Sequence, residues 1–195
     1  MHSSDNPIRS YAKETLTGVD WSGQTIREQS FDECRFENCR FTQTTFAECQ
    51  FRDCTFRSCD VTAAKLPGCV FLRVAFEGSK VAGIMWPEVR EDLFNVRFQA
   101  CVLSYSSFSG MDLSHSSVED CTAIDVDFQE ADLSHVSFAG TNLQESRFLR
   151  SNLAFADFSK ATRYSIDPTN NTLRKTIFAW PEAMSLLGGF DIVWK

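Results

Sequence analysis

An apolar residue recurs at every fifth position along most of this chain. The recurrence forms two unbroken series of fourteen residues, and the second series is displaced by two residues relative to the first. The first series is Leu16, Trp21, Ile26, Phe31, Phe36, Phe41, Phe46, Phe51, Phe56, Val61, Leu66, Phe71, Phe76 and Val81. The second series is Leu93, Phe98, Leu103, Phe108, Leu113, Val118, Ala123, Phe128, Leu133, Phe138, Leu143, Phe148, Leu153 and Phe158. We call these positions i, and the fold must bury all of them together.

Neither regular element buries residues at this spacing. Five residues of an α-helix turn through about 500°, so successive i residues would point in different directions. In a straight strand, residues five apart lie on opposite faces. The spacing is satisfied if each five-residue unit forms one side of a coil and the chain turns a corner between units, because every i residue then points inward. The sequence therefore predicts a solenoid of stacked coils.

The position two residues before i, written i−2, favours small residues. It holds Ala, Cys, Ser, Thr or Val in 23 of the 28 units, and all eight cysteines lie there. The cysteines form four pairs at one constant interval of four units, namely Cys34 with Cys54, Cys39 with Cys59, Cys49 with Cys69, and Cys101 with Cys121. A repeat of four units predicts four sides per coil, which gives about seven coils and a rod of roughly 34 Å at the usual strand spacing.

We expect the eight thiols to be buried and reduced, because a free cysteine behaves as a small hydrophobic residue. Paired cysteines in neighbouring coils would lie about 4.8 Å apart at Cα, but their parallel Cβ bonds keep the Cβ atoms wider apart than a disulfide usually allows. A structural zinc site needs four converging ligands, whereas these cysteines are spread along the core. The pattern therefore favours a packing role over a disulfide framework or a metal site.

The net charge of −7 is unevenly distributed along the chain. Residues 1–90 carry 12 acidic and 11 basic residues, whereas residues 91–160 carry 11 acidic and 4 basic residues. The second half should present a negative face, which suits either a partner with a basic groove or a merely soluble surface. The candidate acidic surface comprises Asp112, Glu119, Asp120, Asp125, Asp127, Glu130 and Asp132. The polar N-terminus contains no secretory signal and no apolar run is long enough to span a bilayer, so we expect a cytoplasmic protein.

The five-residue pattern is interrupted between the two series and ends before the C-terminus. At the interruption, Trp86 can still act as an i residue, which leaves Val89 and Arg90 as the two-residue excess. Near the C-terminus, Pro181 followed by EAMSLL and Gly188 predicts a short helix. The predicted organisation is an N-terminal segment (1–13), a first tract (14–83), a break (84–90), a second tract (91–162) and a C-terminal cap (163–195).

The small–polar–Leu/Phe–polar–any units resemble those of the pentapeptide-repeat family over about residues 14–160. This resemblance implies an all-β fold, a right-handed quadrilateral parallel β-helix with a short C-terminal helix. The tail is similar to those of Qnr-type quinolone-resistance proteins and of AlbG, an albicidin-resistance protein. In such relatives the terminal helix forms a homodimer, and the corresponding interface residues are Met184, Leu186, Leu187, Phe190 and Ile192.

The resemblance also implies a function. Such relatives bind bacterial DNA gyrase, and topoisomerase IV as a second candidate, by imitating a length of DNA, and they counteract quinolone or natural-product poisons. Qnr-type relatives carry a projecting loop near the break, whereas only two residues are inserted here, so a functional loop and a simple hinge both stay open. The residues concerned are Trp86, Pro87, Glu88, Val89 and Arg90. The alternative is a repeat scaffold with a different partner.

The sequence contains no motif typical of an enzyme. It has no phosphate-binding loop, no GxGxxG and no CxxC, and the spacing suggests no Ser–His–Asp set. His115 and His135 lie at i+2, where a solvated corner is expected. We therefore expect a binding protein without catalytic residues, cofactor or bound metal, and without direct contact to nucleic acid or membrane.

Overall fold

The structure is a computed structural model that describes residues 9–90 and 94–190, and it consists of short parallel strands stacked coil upon coil. Most strands have three residues, with the i residue in the middle pointing inward. The strands are β1 (Ser10–Ala12), β2 (Thr15–Thr17), β3 (Thr25–Arg27), β4 (Ser30–Asp32), β5 (Arg35–Glu37), β6 (Thr45–Ala47), β7 (Gln50–Arg52), β8 (Thr55–Arg57), β9 (Val70–Glu77), β10 (Asn95–Gln99) and β11 (Ser117–Glu119). Within the described residues, short 3₁₀-helices cover Trp86–Glu88 and Glu182–Gly189.

Each coil has four sides, which we number in chain order. Side 1 contains β1, β4, β7 and the start of β9, and side 2 contains β2, β5, β8, the end of β9, β10 and β11. Side 4 begins with the pair β3 and β6. Side 3 is a column of single paired residues with eight levels: Asp20, Arg40, Asp60, Lys80, Val102, Thr122, Asn142 and Thr162. The predicted four-sided parallel β-helix is confirmed, and every side repeats after four units except across the break.

The i residues fill the core as stacked rings and aliphatic side chains. Phe36 and Phe56, one coil apart, stack with ring centroids separated by 4.5 Å, and Phe108 and Phe128 stack at 5.4 Å. Neighbouring sides of one coil meet edge to face, as Phe31 and Phe36 do at 5.3 Å. Both arrangements are favourable for aromatic pairs. The core of the described coils is therefore a set of continuous columns of side chains.

All eight cysteines are buried and free, which confirms the prediction from their i−2 positions. Seven of the thiols lie against a backbone carbonyl of the preceding coil, as Cys54 Sγ does at 3.4 Å from the Phe31 oxygen. The hydroxyl of Ser79 donates the equivalent bond to Phe56 at 3.1 Å. Burial raises the pKa of Cys54 to about 12, so this thiol stays protonated at neutral pH.

The corners require a left-handed backbone conformation at position i+2. Within residues 9–90 and 94–190, twenty-one residues other than glycine have a positive φ, including Asp125 at 53° and His135 at 64°. Between the corners, Asp or Asn at i−1 accepts a hydrogen bond from the backbone N–H two residues later, as Asn152 does from Ala154. This local bond favours the turn and explains why short polar residues recur at i−1.

Val89 and Arg90, expected to be the two-residue excess of the break, keep the regular pattern of the first tract. Arg90 N–H still bonds to the Cys69 carbonyl in the regular pattern, and Val89 is buried as an i−2 residue. Between this coil and the next, paired residues lie two positions further apart in the sequence than in the other coils, as Phe76 and Phe98 do. The register of β10 against β9 also shifts between Asn95 and Val96. The assignment of Val89 and Arg90 as the excess was therefore wrong, because both continue the first tract. Leu93 lies outside the described residues.

The stack also extends further than predicted at both ends. At the N-terminal end, the ring of Tyr11 in β1 stacks on Phe31 at 4.9 Å, so the coils begin before residue 14. At the C-terminal end, Thr172 and Ile177 still pair with Asn152 and Asp157, after residues 163–170 have left the five-residue pattern. No helix in the described part of the chain has the length and apolar character needed to cross a membrane.

Candidate interaction surface

The seven candidate acidic residues form a belt around one coil. Asp112 and Asp132 lie on side 1, one above the other. Between them the chain makes one circuit, so the other five follow in turn around the rod. Glu119 lies on side 2, Asp120 at the next corner, Asp125 at the corner between sides 3 and 4, Asp127 on side 4, and Glu130 at the corner leading back to side 1. The expected single negative face is therefore a negative ring, which we call the acidic belt.

Three members of the acidic belt have a structural role at i−1. Asp112, Asp127 and Asp132 each accept a hydrogen bond from the backbone N–H two residues later, at 2.9, 3.0 and 2.9 Å. Burial opposes ionisation of Asp132, but hydrogen bonds from Ser134 and Asn152 outweigh it and lower its pKa. Asp132 is consequently ionised at neutral pH, and the backbone hydrogen bonds hold all three carboxylates in defined positions.

The corner members of the belt have more varied surroundings. Asp120 accepts a hydrogen bond from Gln99 at 2.8 Å, and its carboxylate occupies the space over Gly140, where an added Cβ would clash with it. Asp125 lies 3.9 Å from Arg147, and Glu130 lies 2.5 Å from Arg150. Among the described residues these are the two ion pairs of the belt, so most of its negative charge is not neutralised by a neighbouring cation.

Three ion pairs of the N-terminal coils run along the rod, from one coil to the next. Arg57 bonds to Glu77 one coil away at 2.8 Å, and Arg73 makes a two-pronged contact with Asp53 at 2.6 and 2.7 Å. Lys13 lies 3.6 Å from Glu33. This half of the surface is electrically balanced, in agreement with its nearly equal numbers of acidic and basic residues.

Within the residues described at the break, no segment projects as a long loop. Trp86 is fully buried and stacks on Phe108 at 5.6 Å, which fits its expected i position. Pro87 and Glu88 belong to the first 3₁₀-helix and are exposed, as is Arg90. Whether this segment has a functional role stays a prediction.

The C-terminal helix presents apolar side chains at the end of the stack. Met184, Leu186 and Leu187 are half-buried, and Leu186 packs against the core. Phe190 is 46% exposed. Ile192 lies outside the described residues. The sequence did not draw attention to Trp180, which is 76% exposed beside this helix, although its apolar neighbourhood was a usable signal.

The described residues contain no cluster of three or more His, Cys, Asp or Glu side chains suited to a metal ion. His135, predicted as a solvated corner residue, is exposed, and its ring also stacks on Phe155 at 4.8 Å. Lys175 and Arg174 approach the ring of Phe155 at 5.7 and 5.8 Å. This aromatic column was missed because its members lie a full coil apart in the sequence, at a position that otherwise holds polar side chains.

Comparisons with solved structures return proteins with the same fold. HetL, a pentapeptide repeat protein involved in heterocyst differentiation regulation in the cyanobacterium Nostoc sp. strain PCC 7120, is 14% identical, with a TM-score of 0.69 over 87% of this chain and 86% of that chain. A trypsin-treated form of QnrB1, a plasmid-mediated fluoroquinolone resistance protein, is 16% identical, with a TM-score of 0.64 over 95% of this chain and 98% of that chain. A second trypsin-treated form of QnrB1 is 17% identical, with a TM-score of 0.59 over 92% and 100%.

These identities are low, so the structural likeness establishes the fold alone. No curated protein sequence matches the chain. The family model described as a pentapeptide repeat region, however, matches residues 15–90 and 91–178, which together make up most of the sequence. The chain belongs to the pentapeptide-repeat family.

Proposed function

We propose that this protein binds a bacterial type II topoisomerase, DNA gyrase above all and topoisomerase IV as a second candidate, and protects it from quinolone or natural-product poisons. The acidic belt carries this proposal, because it places carboxylates at fixed positions around a rod. The likeness of fold to QnrB1, a fluoroquinolone resistance protein, supports it further.

The belt can imitate DNA by a simple electrostatic route. Proteins that bind DNA hold its phosphates with Lys and Arg side chains, and the binding weakens steeply as salt rises. A rod with ordered carboxylates can compete for the same cationic groove. Because the backbone hydrogen bonds fix Asp112, Asp127 and Asp132 before binding, little side-chain freedom is lost on association. The protein would act by occupancy and needs no catalytic group.

A gyrase supercoiling assay with ciprofloxacin or albicidin tests the proposal. We expect purified protein to restore supercoiling in the presence of the poison and to inhibit supercoiling at higher concentration. The matched variant carries Asp112→Asn, Asp127→Asn and Asp132→Asn. Asn142 and Asn152 make the same turn bond elsewhere, so this variant should fold while losing three charges. It should need a higher protein concentration for the same rescue. Absence of both rescue and inhibition with the native protein would exclude the proposal.

The second candidate is an interaction scaffold with another partner. The balanced charge of the N-terminal coils favours it, and HetL carries the same fold in a protein involved in heterocyst differentiation regulation. Direct binding to purified gyrase separates the two candidates, since a scaffold for another partner would not bind gyrase at physiological salt.

We also propose that two copies join through the C-terminal helix. Met184, Leu187 and Phe190 are the support, because half-buried and exposed apolar side chains at the open end of a solenoid gain from being covered. Light scattering after size exclusion should give twice the chain mass. Leu187→Glu should give a monomer of unchanged secondary structure, and a monomeric native protein would contradict this proposal.

A further inference from the structure

The middle of the rod carries a second exposed apolar feature, away from the C-terminal helix. Met85 on side 4 is 52% exposed, and Tyr105 at the corner between sides 3 and 4 is 68% exposed. Met85 pairs with Ser107 in the next coil, and Tyr105 lies two residues before Ser107. The two side chains therefore stand in adjacent columns at neighbouring levels. We call them the Met85–Tyr105 pair.

The corner positions in the coils that immediately precede Tyr105 carry small, uncharged residues. Backbone hydrogen bonds link Ala63 to the coil of Gly83, and Gly83 to the coil of Tyr105, so these three residues lie in one column. Gly83 has no side chain and Ala63 has only a methyl group, and all three have a positive φ. The tyrosine ring therefore projects next to a low surface formed by Ala63 and Gly83, which we call the shelf, and one face of the ring is accessible. Pro87, exposed on the same side 4, adds apolar surface next to Met85.

The levels above the pair are acidic. The same corner column continues from Tyr105 to Asp125 and then to Glu145, and side 4 continues from Ser107 to Asp127. Arg147 follows Asp127 in the side 4 column, and its guanidinium approaches Asp125 at 3.9 Å. On the opposite flank, Lys65 lies one coil below Met85 on the same side. The pair therefore has carboxylates on its C-terminal side and Lys65 on its N-terminal side. This arrangement sets the orientation of a charged partner.

We infer that the Met85–Tyr105 pair is a docking point for a protein segment with an apolar side chain next to Lys or Arg. The apolar side chain would cover Met85 and the shelf, and the cation would lie between the Tyr105 ring and the carboxylates of Asp125 and Asp127. Tyrosine and methionine are enriched at such interfaces, and an aromatic face attracts a cation. Apolar burial by the pair would add affinity that salt does not screen, in contrast to the acidic belt.

This inference rests on the proposed function, since the partner to be tested is gyrase. The test variant is Met85→Thr with Tyr105→Asn. Threonine occupies the equivalent position at Thr45, and asparagine tolerates the positive φ of 65° at Tyr105. The matched control is Phe155→Asn, because Phe155 is also an exposed aromatic residue at a corner with a φ of 62°. Unfolding midpoints in urea establish that all variants fold.

Affinity for purified gyrase is measured for each protein from about 50 to about 300 mM salt. We expect the double variant to bind about tenfold more weakly, with an unchanged slope of log K against log salt, and the control to bind within about twofold of the native protein. Native binding with an unaltered double variant, or an equal loss in the control, would overturn this inference alone. Absence of native binding would overturn the proposed function and this inference with it.

Discussion

The coils before and after the break use one core geometry to carry two different surfaces. In the N-terminal coils, phenylalanine occupies most i positions, and six of the eight cysteines lie at i−2. In the C-terminal coils, leucine and phenylalanine share the i positions, and Ser or Thr often replaces Cys, as at Thr141 and Ser146. Both sets fill the core. The fold therefore depends on the position and size of the inward residues rather than on their identity.

The outward residues differ more than the inward ones. The N-terminal coils carry nearly equal numbers of acidic and basic residues, some of which pair from coil to coil as Arg73 does with Asp53, whereas the coils after the break carry 11 acidic and 4 basic residues over 91–160. Most side chains at i−1, i+1 and i+2 lie outside the core, so their charge can vary without disturbing the packing of the i residues. This difference is why we propose the acidic belt, in the C-terminal half, as the charged contact with the partner.

The largest expected effect comes from opening the aromatic core. Phe36 is fully buried and stacks on Phe56 while contacting three other rings at 5.3 to 6.2 Å. We expect Phe36→Ala to lower the free energy of unfolding by about 3–5 kcal/mol, and Leu133→Ala in the C-terminal core by about 2–5 kcal/mol. Urea unfolding followed by circular dichroism measures both losses.

The exposed Leu149→Ala is the control, with an expected change within about 0.5 kcal/mol. A loss below about 1 kcal/mol for both core variants would show that the coils repack around a missing side chain. A loss confined to Phe36→Ala would show that only the aromatic half depends on tight packing, which would break the equivalence of the two cores.

The next effect is the pH dependence of stability that buried thiols of the N-terminal coils should cause. Burial raises the pKa of Cys54 and Cys59 to about 12, so the folded protein keeps protons that the unfolded chain releases above about pH 9. Stability should therefore be unaffected by these thiols at neutral pH and fall as pH rises from about 9 to 12, by about 1.4 kcal/mol per thiol and pH unit. Urea unfolding at pH 7, 8, 9 and 10 measures the slope.

The matched variant for this slope is Cys54→Ser with Cys59→Ser. Its hydroxyls can donate to the same carbonyls as the thiols, since Ser79 already does so at the equivalent position. The variant should lose part of the alkaline slope while other alkaline titrations remain. An unchanged slope would mean that the two thiols do not control stability in this range.

A smaller effect distinguishes charge from turn formation in the acidic belt. Asp132→Ala removes the acceptor for the Ser134 N–H and should cost about 0.5–1.5 kcal/mol. Asp132→Asn keeps an acceptor and should change stability by less than about 0.5 kcal/mol at pH 7. Because hydrogen bonding lowers the pKa of Asp132, its ionic stabilisation exists above its unfolded pKa and disappears as pH falls through the lower folded value. Acid unfolding of Asp132→Asn should lack that component, and identical acid curves would contradict the assignment.

Two repeat intervals, one of five residues and one of four five-residue units, determined how much of this structure the sequence could predict. The five-residue recurrence from Leu16 to Phe158 was sufficient to predict which side chains point inward. The regular interval between cysteines was sufficient to predict four sides per coil. Both predictions succeeded because both features depend on packing alone. The site of the inserted residues was misplaced because Val89 is an apolar residue in regular phase and Arg90 keeps its backbone bond. The sequence led us to expect the acidic residues on one face. The span from Asp112 to Asp132, however, equals one circuit of the coil, so these residues form a ring. The Met85–Tyr105 pair depends on which outward residues become neighbours across the register shift, so it emerged only from the structure.

The smallest effect concerns the ion pairs themselves. Arg150 and Glu130 lie 2.5 Å apart, yet their side chains are 68% and 55% exposed, so solvent and salt weaken their attraction. A double-mutant cycle with Arg150→Gln and Glu130→Gln should give a coupling of about 0.2–1 kcal/mol at low salt and less at about 1 M salt. Lys13 and Glu33, at 3.6 Å in the N-terminal coils, should couple no more strongly. A coupling above about 2 kcal/mol in either half, well beyond the usual range for exposed pairs, would mean that surface charge supports the fold, and the surface could then not vary independently of the core.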